Sequence, residues 1–388
     1  MEALGRRRHR LGARRGLIAG AVTTVLFFTV GQEWLTDLSN FSWLGFMFAW
    51  LFGVIIWCAF GVVRHAEALA DVLGEPYGTL FLTISVVSIE VAILASIMIG
   101  ETPNPTLPRE TMFAVLMIVL NGMVGTVLVV GGLRHVRQHY NLEGATTFLA
   151  VLTPLAIVAL VLPTFTVTTT DASFTPQQAI IFALLTVLLY GAFLTIQTTR
   201  HRGFFTQPGT APRKATPKKA TPSETTSLRH RGGPRYSAPY HFVLLLGTLL
   251  PVVLLARPFA AALDYGLVQL QLPIGLGGIL IAMLILLPEW TAASRAASRN
   301  ELQRAVNLSL GAALSTLGLT VPVVLAISVF TGLPLVLGLN SVDIVLLAVT
   351  LFLAHMTFSG APTNILLGLV HLVLFFTFLV VVFTHAGG

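Results

Sequence analysis

The chain has 388 residues, 55% of them hydrophobic and only 10% charged, with a mean hydropathy of +0.84. So apolar a composition excludes a water-soluble domain and reads as an integral membrane protein. The formal net charge of +7 needs no nucleic acid to explain it, because membrane proteins collect Lys and Arg in cytoplasmic loops.

In chain order, Arg6, Arg7, Arg8, Arg10, Arg14 and Arg15 precede an apolar run over 17–30. The pattern has the form of a secretory signal, but a second span follows closely. Residues 1–41 therefore read as a basic cytoplasmic N-terminus and a first transmembrane helix. Spans are predicted at 42–63, 77–100, 111–132, 147–163 and 176–195, which makes 42–197 a first five-helix repeat. Residues 198–239 contain TQPGTAPRKATPKKATPSETTSLRHRGGPRYSAP, too poor in apolar side chains to pack, and read as a disordered basic cytoplasmic linker. Apolar runs resume at 240–256, 273–297, 303–330, 342–356 and 364–385, so 240–388 forms a second five-helix repeat. The expected fold is an all-α polytopic membrane protein of about eleven transmembrane helices, one N-terminal helix plus two repeats.

With the N-terminus inside, eleven spans place 21 of the 23 Lys and Arg in inside segments and leave only Arg109 and Arg257 outside. This predicts a multi-pass protein of the cell (inner) membrane with a cytoplasmic N-terminus and an outside C-terminus. The linker then suits anionic lipid headgroups. No obligate protein partner is evident. The single cysteine, Cys58, lies in an apolar run, which excludes a disulfide framework and a thiolate metal site.

The stretch GEPYGTLFLTISVVSIEVAILASIMIG spans a bilayer yet carries Glu90 near its middle. A lone carboxylate at that depth is costly, and it persists where it faces a protein interior or an aqueous path. Thr79 and Thr83 fall on the same helix face as Glu90. In IGLGGILIAMLILLPEWTAASRAA, Glu289 lies equally deep, directly after Pro288. Pro288 removes a backbone donor and frees carbonyls near Leu284 and Ile285, unless it is a simple kink. Glu90 and Glu289 each occupy the second helix of a five-helix unit. An odd repeat inverts the topology, so the two carboxylates are expected to meet at a shared midplane site. In the following helices, Asn121 and Gly125 share one face, as do Asn307, Gly311 and Ser315. With Ser309 and Thr316 they offer neutral oxygens to a hard cation, or else plain packing. His355 and His371 read as makers of single interhelical hydrogen bonds, with proton relay as the alternative. Glu75, beside Pro76, reads as a favourable charge at a helix start, with an entrance role as the alternative. No GxSxG, HExxH or paired Asp motif lies in the spans, so a transporter without catalytic residues or cofactor is expected, not an enzyme.

The segments GEPYGTLFLTISVVSIEVAIL, GGLRHVRQHYNLEGATTFLAVLTPLA, LPEWTAASRAASRNELQRAVNLSLGAALSTLGLTVP and PTNILLGLVHLVLFF resemble the calcium/cation antiporter superfamily, in its bacterial ChaA-type calcium/proton branch. The resemblance implies that Glu90 and Glu289 are the acidic residues of two alpha-repeats that bind cation and proton alternately. The vacuolar branch carries Gly and Asn just before each Glu, where this chain has Val87, Ser88 and Ile89, and Leu287 and Pro288. Ser88 thereby becomes a further candidate oxygen. The implied activity is calcium/proton exchange, with sodium/proton or potassium/proton exchange as the alternative.

Overall fold

A computed structural model describes residues 2–31, 33–73, 77–100, 104–166, 169, 171–207, 238–360 and 362–384, with the side chains of 2–14, 71, 77–80 and 82 outside the description. The linker core at 208–237, Glu75 and the Thr79 side chain lie outside the described residues.

Among the described residues the chain is helical without strands, with eleven main helices, eight of them long and apolar enough to cross a membrane and three with shorter apolar stretches. They are α1 Glu2–Thr29, α2 Phe41–Leu73, α3 Tyr77–Met98 and α4 Leu107–His135. Then come α5 Leu142–Phe165, α6 Pro176–Thr198, α7 Ala238–Gln269 and α8 Ile274–Ser298. The last three are α9 Leu302–Thr331, α10 Ser341–Thr357 and α11 Ile365–Thr384. Local chemistry sets several ends. The Asn141 side chain accepts from the Glu143 and Gly144 amides to start α5, and Thr175 with Gln178 forms a capping box on α6. Left-handed Gly332 closes α9.

Helix α2 runs well beyond its expected end at residue 63, through Arg64, His65 and Glu67. Val62, Ala66 and Leu69 keep one face buried, so packing extends the helix where hydropathy stops. Helix α7 likewise continues past 256, carrying Pro258 and Asp264. Three helices contain π segments that hydropathy does not announce: Ile118–Met123 in α4, Ile157–Val161 in α5 and Thr316–Thr320 in α9. Such bulges widen one turn and release backbone groups, often at functional sites.

The bundle has two distinct ends. At the basic end His135 bonds the Ser298 carbonyl at 3.1 Å, Gln138 donates to the Ala297 carbonyl at 2.9 Å, and the Asn141 amide donates to Gln303. At the opposite end the Val336 amide meets the Pro105 carbonyl and the Gly338 amide the Ala172 carbonyl, both at 3.0 Å. These clasps join early and late helices at both ends. His65, late in α2, meets His241, early in α7, with Nδ1 atoms 3.3 Å apart. The two helices are therefore antiparallel, and by the same reasoning so are α3 and α8.

Helices α4 and α8 cross backbone to backbone. A Cβ at Gly278 would fall 2.6 Å from the Glu110 carbonyl carbon and 2.8 Å from the Thr111 nitrogen. Backbone cannot yield as a side chain can, so Gly278→Val should destabilise by about 3 kcal/mol or more. Gly53→Ala, with nothing within 4 Å of its added carbon, should stay within about 1 kcal/mol. Thermal unfolding of the detergent-purified variants checks the contrast.

Candidate functional site

Glu90 on α3 and Glu289 on α8 are both buried, at 1% and 8% exposure, and each lies within electrostatic reach of the other. No basic side chain forms an ion pair with either among the described residues. The π segment of α9 supplies the local support. Thr316 donates its hydroxyl to Glu90 Oε2 at 3.0 Å. Thr320, on the next turn, also faces that carboxylate without closing a hydrogen bond to it. Glu90 Oε1, Glu289 Oε2 and Thr320 Oγ1 are buried oxygens without a hydrogen-bond partner. Unsatisfied buried polar atoms are rare in native interiors and call for a reason.

Gly318 lies inside the same π segment because the Tyr190 ring of α6 fills the space where its side chain would be, with Tyr190 Cγ 2.5 Å from a Cβ built there. The Tyr190 hydroxyl lies near Thr83, the residue expected to share the Glu90 face. Tyr190 was not legible as a site residue, because nothing in α6 sets it apart from an ordinary core aromatic. Thr320 was detectable, since it lies one helical turn beyond Thr316.

The other expected oxygens are placed differently. Ser88, Ser309 and Ser315 turn their hydroxyls back on their own helices, to the carbonyls of Ile84, Ala305 and Ala312 at 2.7, 2.9 and 2.9 Å. Asn307 lies in the basic-end clasp, donating to the Phe205 carbonyl at 2.7 Å and accepting from Gln303 at 2.8 Å. Pro288 is buried within α8, and its own carbonyl accepts from Thr291 at 2.8 Å. Having no N–H, Pro288 leaves the Leu284 carbonyl without its helical donor.

Asn121, in the π segment of α4, is tied to α10 and α11. It donates to Thr350 Oγ1 at 2.8 Å, and its Oδ1 meets His371 Nδ1 at 3.3 Å. Thr357 Oγ1 lies 2.9 Å from His371 Nε2. Since Oδ1 only accepts, Nδ1 carries the ring proton and Nε2 accepts from Thr357, a neutral tautomer with both nitrogens used. The interhelical bond expected of His371 is present. His355 instead bonds the Leu351 carbonyl of its own helix at 2.8 Å, because its side of α10 faces outward.

A cavity of about 380 Å³ opens at the end opposite the basic clasp, lined in part by Arg109, Glu110, Asn340 and Asp343. Its polar groups are matched internally, Arg109 to Glu110 at 2.6 Å and Asn340 to Asp343 at 2.7 Å. No three of His, Cys, Asp and Glu converge among the described residues. The buried donor set is thus two carboxylates with hydroxyls of α9, suited to hard cations and to protons.

Comparison with known proteins identifies relatives of the chain. A family model described as sodium/calcium exchanger protein matches residues 43–199. The sodium-potassium/proton antiporter ChaA of Escherichia coli (strain K12) is 38% identical over 330 residues, covering 85% of this chain and 86% of that protein. The Ca(2+)/H(+) antiporter ChaA of Bacillus subtilis (strain 168) is 26% identical over 256 residues, or 61% of this chain and 67% of that protein. The solved structure of native YfkE superposes with a TM-score of 0.71 at 17% identity, over 96% of this chain and 99% of that one.

The Asn121 network generates a prediction of its own. Asn121→Leu leaves His371 Nδ1 and the Thr350 hydroxyl without their partner in a dry interior, which should cost about 1–3 kcal/mol. A lowered unfolding midpoint in detergent checks it, and an unchanged one would show the network to be dispensable.

Proposed function

The chain belongs to the calcium/cation antiporter superfamily, and from that premise we propose that it exchanges calcium for protons by alternating access. Glu90 and Glu289 bind cation and protons competitively. The observation that carries this reading is the pair of buried carboxylates whose Oε1 and Oε2 atoms, respectively, have no partner. Two carboxylates in a low-dielectric interior, without a basic ion-pair partner among the described residues, call for a mobile positive charge, which a bound cation or protons supply. With the site open to one face, a cation displaces protons from both acids. After the halves rock, protons from the other face displace the cation. Thr316 and Thr320 add neutral oxygens. By charge balance alone, one calcium exchanges for about two protons.

A second reading, sodium/proton or potassium/proton exchange, is supported by the name of the Escherichia coli relative. The name of the Bacillus subtilis relative supports calcium. A monovalent ion would leave one carboxylate to keep its proton, so the two readings differ in stoichiometry. In either case the protein uses no cofactor, contacts lipid rather than nucleic acid, and sits in the inner membrane. Its basic end and N-terminus face the cytoplasm and its C-terminus the outside. The repeats 42–197 and 240–388 act as inverted halves around the site.

Glu289→Gln and Glu90→Gln should preserve folding, because the amide has the shape of the protonated acid, and should reduce exchange by more than about a hundredfold. Dye dequenching in inside-out vesicles, with calcium, sodium and potassium titrated separately, reads this out. Full cation-dependent dequenching in either variant sinks the assignment. Competition also sets a pH signature: the apparent affinity for calcium should weaken by about tenfold to a hundredfold per unit of acidification, as one or two protons compete.

A further inference from the structure

The hydroxyls of Thr316 and Thr320 are carried by one short stretch of α9, and that stretch is held by a ring from another helix. Gly318 stands two residues from each of them, and the Tyr190 ring of α6 lies directly on it. A Cβ built at Gly318 falls 2.5 Å from Tyr190 Cγ, 2.6 Å from Cδ2 and 2.9 Å from Cβ. So close an approach of ring to helix backbone is open to glycine alone, although glycine inside a helix costs about 1 kcal/mol against alanine. The ring is itself braced. It is 3% exposed and stacks on Phe193 with ring centres 6.4 Å apart at 20°. Phe193 in turn meets Phe148 of α5 at 5.1 Å and Phe205 at 5.9 Å. From the stretch so held, Thr316 donates to Glu90 Oε2 at 3.0 Å, and Thr320 Oγ1 is buried without a hydrogen-bond partner.

We infer that Tyr190 is a positioning residue for cation binding: its ring is a wedge that fixes the α9 backbone at Gly318 and so sets where the Thr316 and Thr320 hydroxyls stand relative to Glu90. The inference rests on the antiport reading above and adds what sets the affinity of its site. Oxygens that hold a hard cation must converge within a narrow range of distances, so the segment that carries them cannot be left to drift. A buried ring seated on backbone supplies that stiffness through its many dispersion contacts. Tyr190 touches no ion and acts through α9, so its loss weakens binding while both carboxylates stay in place. The wedge is the ring, and the hydroxyl near Thr83 is not required for it.

The test uses the full-length protein reconstituted in vesicles, with calcium, sodium and potassium titrated in turn and the unfolding midpoint measured alongside. Tyr190→Leu should raise the half-saturating cation concentration about tenfold, the loss expected when a hydrogen bond to a charged group is no longer aligned. Tyr190→Phe keeps the ring and should stay within about twofold of wild type. Gly318→Ala should raise half-saturation as Tyr190→Leu does. The double variant Gly318→Ala/Tyr190→Leu should bind more tightly than Gly318→Ala alone, because the added methyl group then has room. Phe378→Leu, an equal loss of ring beside the outer cavity, should lower the unfolding midpoint and leave half-saturation as it was. A Tyr190→Leu protein that loses stability like Phe378→Leu, yet half-saturates as wild type does, overturns the inference and makes Tyr190 ordinary packing. Should Tyr190→Leu not fold, Tyr190→Phe and Gly318→Ala decide: wild-type affinity in the first with weakened affinity in the second upholds the wedge, and any other pair of results overturns it. A wild-type protein that exchanges none of the three cations for protons overturns the antiport reading instead, before any variant is made.

Discussion

The structure depends on an electrostatic constraint: Glu90 and Glu289 are both buried within electrostatic reach of each other, and among the described residues no basic side chain pairs with either. A permanent ion pair would neutralise the charge and also freeze it, because separating a buried pair is costly. Under the antiport proposal, compensation is left to a mobile ion, which keeps the site switchable. The hydroxyl of Thr316 on Glu90 Oε2 fits that logic, since it orients one oxygen without cancelling its charge and leaves Oε1 open.

Helix α9 serves the site through Thr316 and Thr320, four residues apart and so on one face, at the two ends of the π segment Thr316–Thr320. Within that segment the Tyr190 ring of α6 fills a place that only a glycine at 318 leaves open. Tyr190 also lies near Thr83, so one segment couples α3, α6 and α9 around a single carboxylate. Dispersion contacts of a buried ring give that coupling stiffness that a polar contact alone would not.

Hydropathy made the spans and the two deep carboxylates legible, because a charged residue within an apolar run stands out whatever the tertiary fold. Helix ends were less legible. The extension of α2 past residue 63 carries Arg64, His65 and Glu67, which a hydropathy window counts against a span although one face of the helix still packs. The supporting oxygens were legible only as residue types. Face-sharing put Asn121 and Asn307 near the site, yet one is bound to α10 and α11 and the other to the basic-end clasp. A π segment rotates every later residue relative to a 3.6-residue wheel, and no periodic reading of IVLNGM or TLGLT reveals it. Ser88, Ser309 and Ser315 illustrate a second blind spot, the tendency of helical hydroxyls to bond back to their own carbonyls.

The two halves share an order of helices but not a chemistry. The third helix of each carries a π segment, Ile118–Met123 in α4 and Thr316–Thr320 in α9. In α9 that segment reaches across to Glu90, while in α4 it turns Asn121 outward to His371 and Thr350. Glu90 therefore has a fixed donor and almost no exposure, whereas Glu289 keeps a bare Oε2 and a measure of access. The two acids thus sit in different surroundings, one held by a hydroxyl and enclosed, the other barer and slightly more exposed, so a substitution at one is not chemically equivalent to the same substitution at the other.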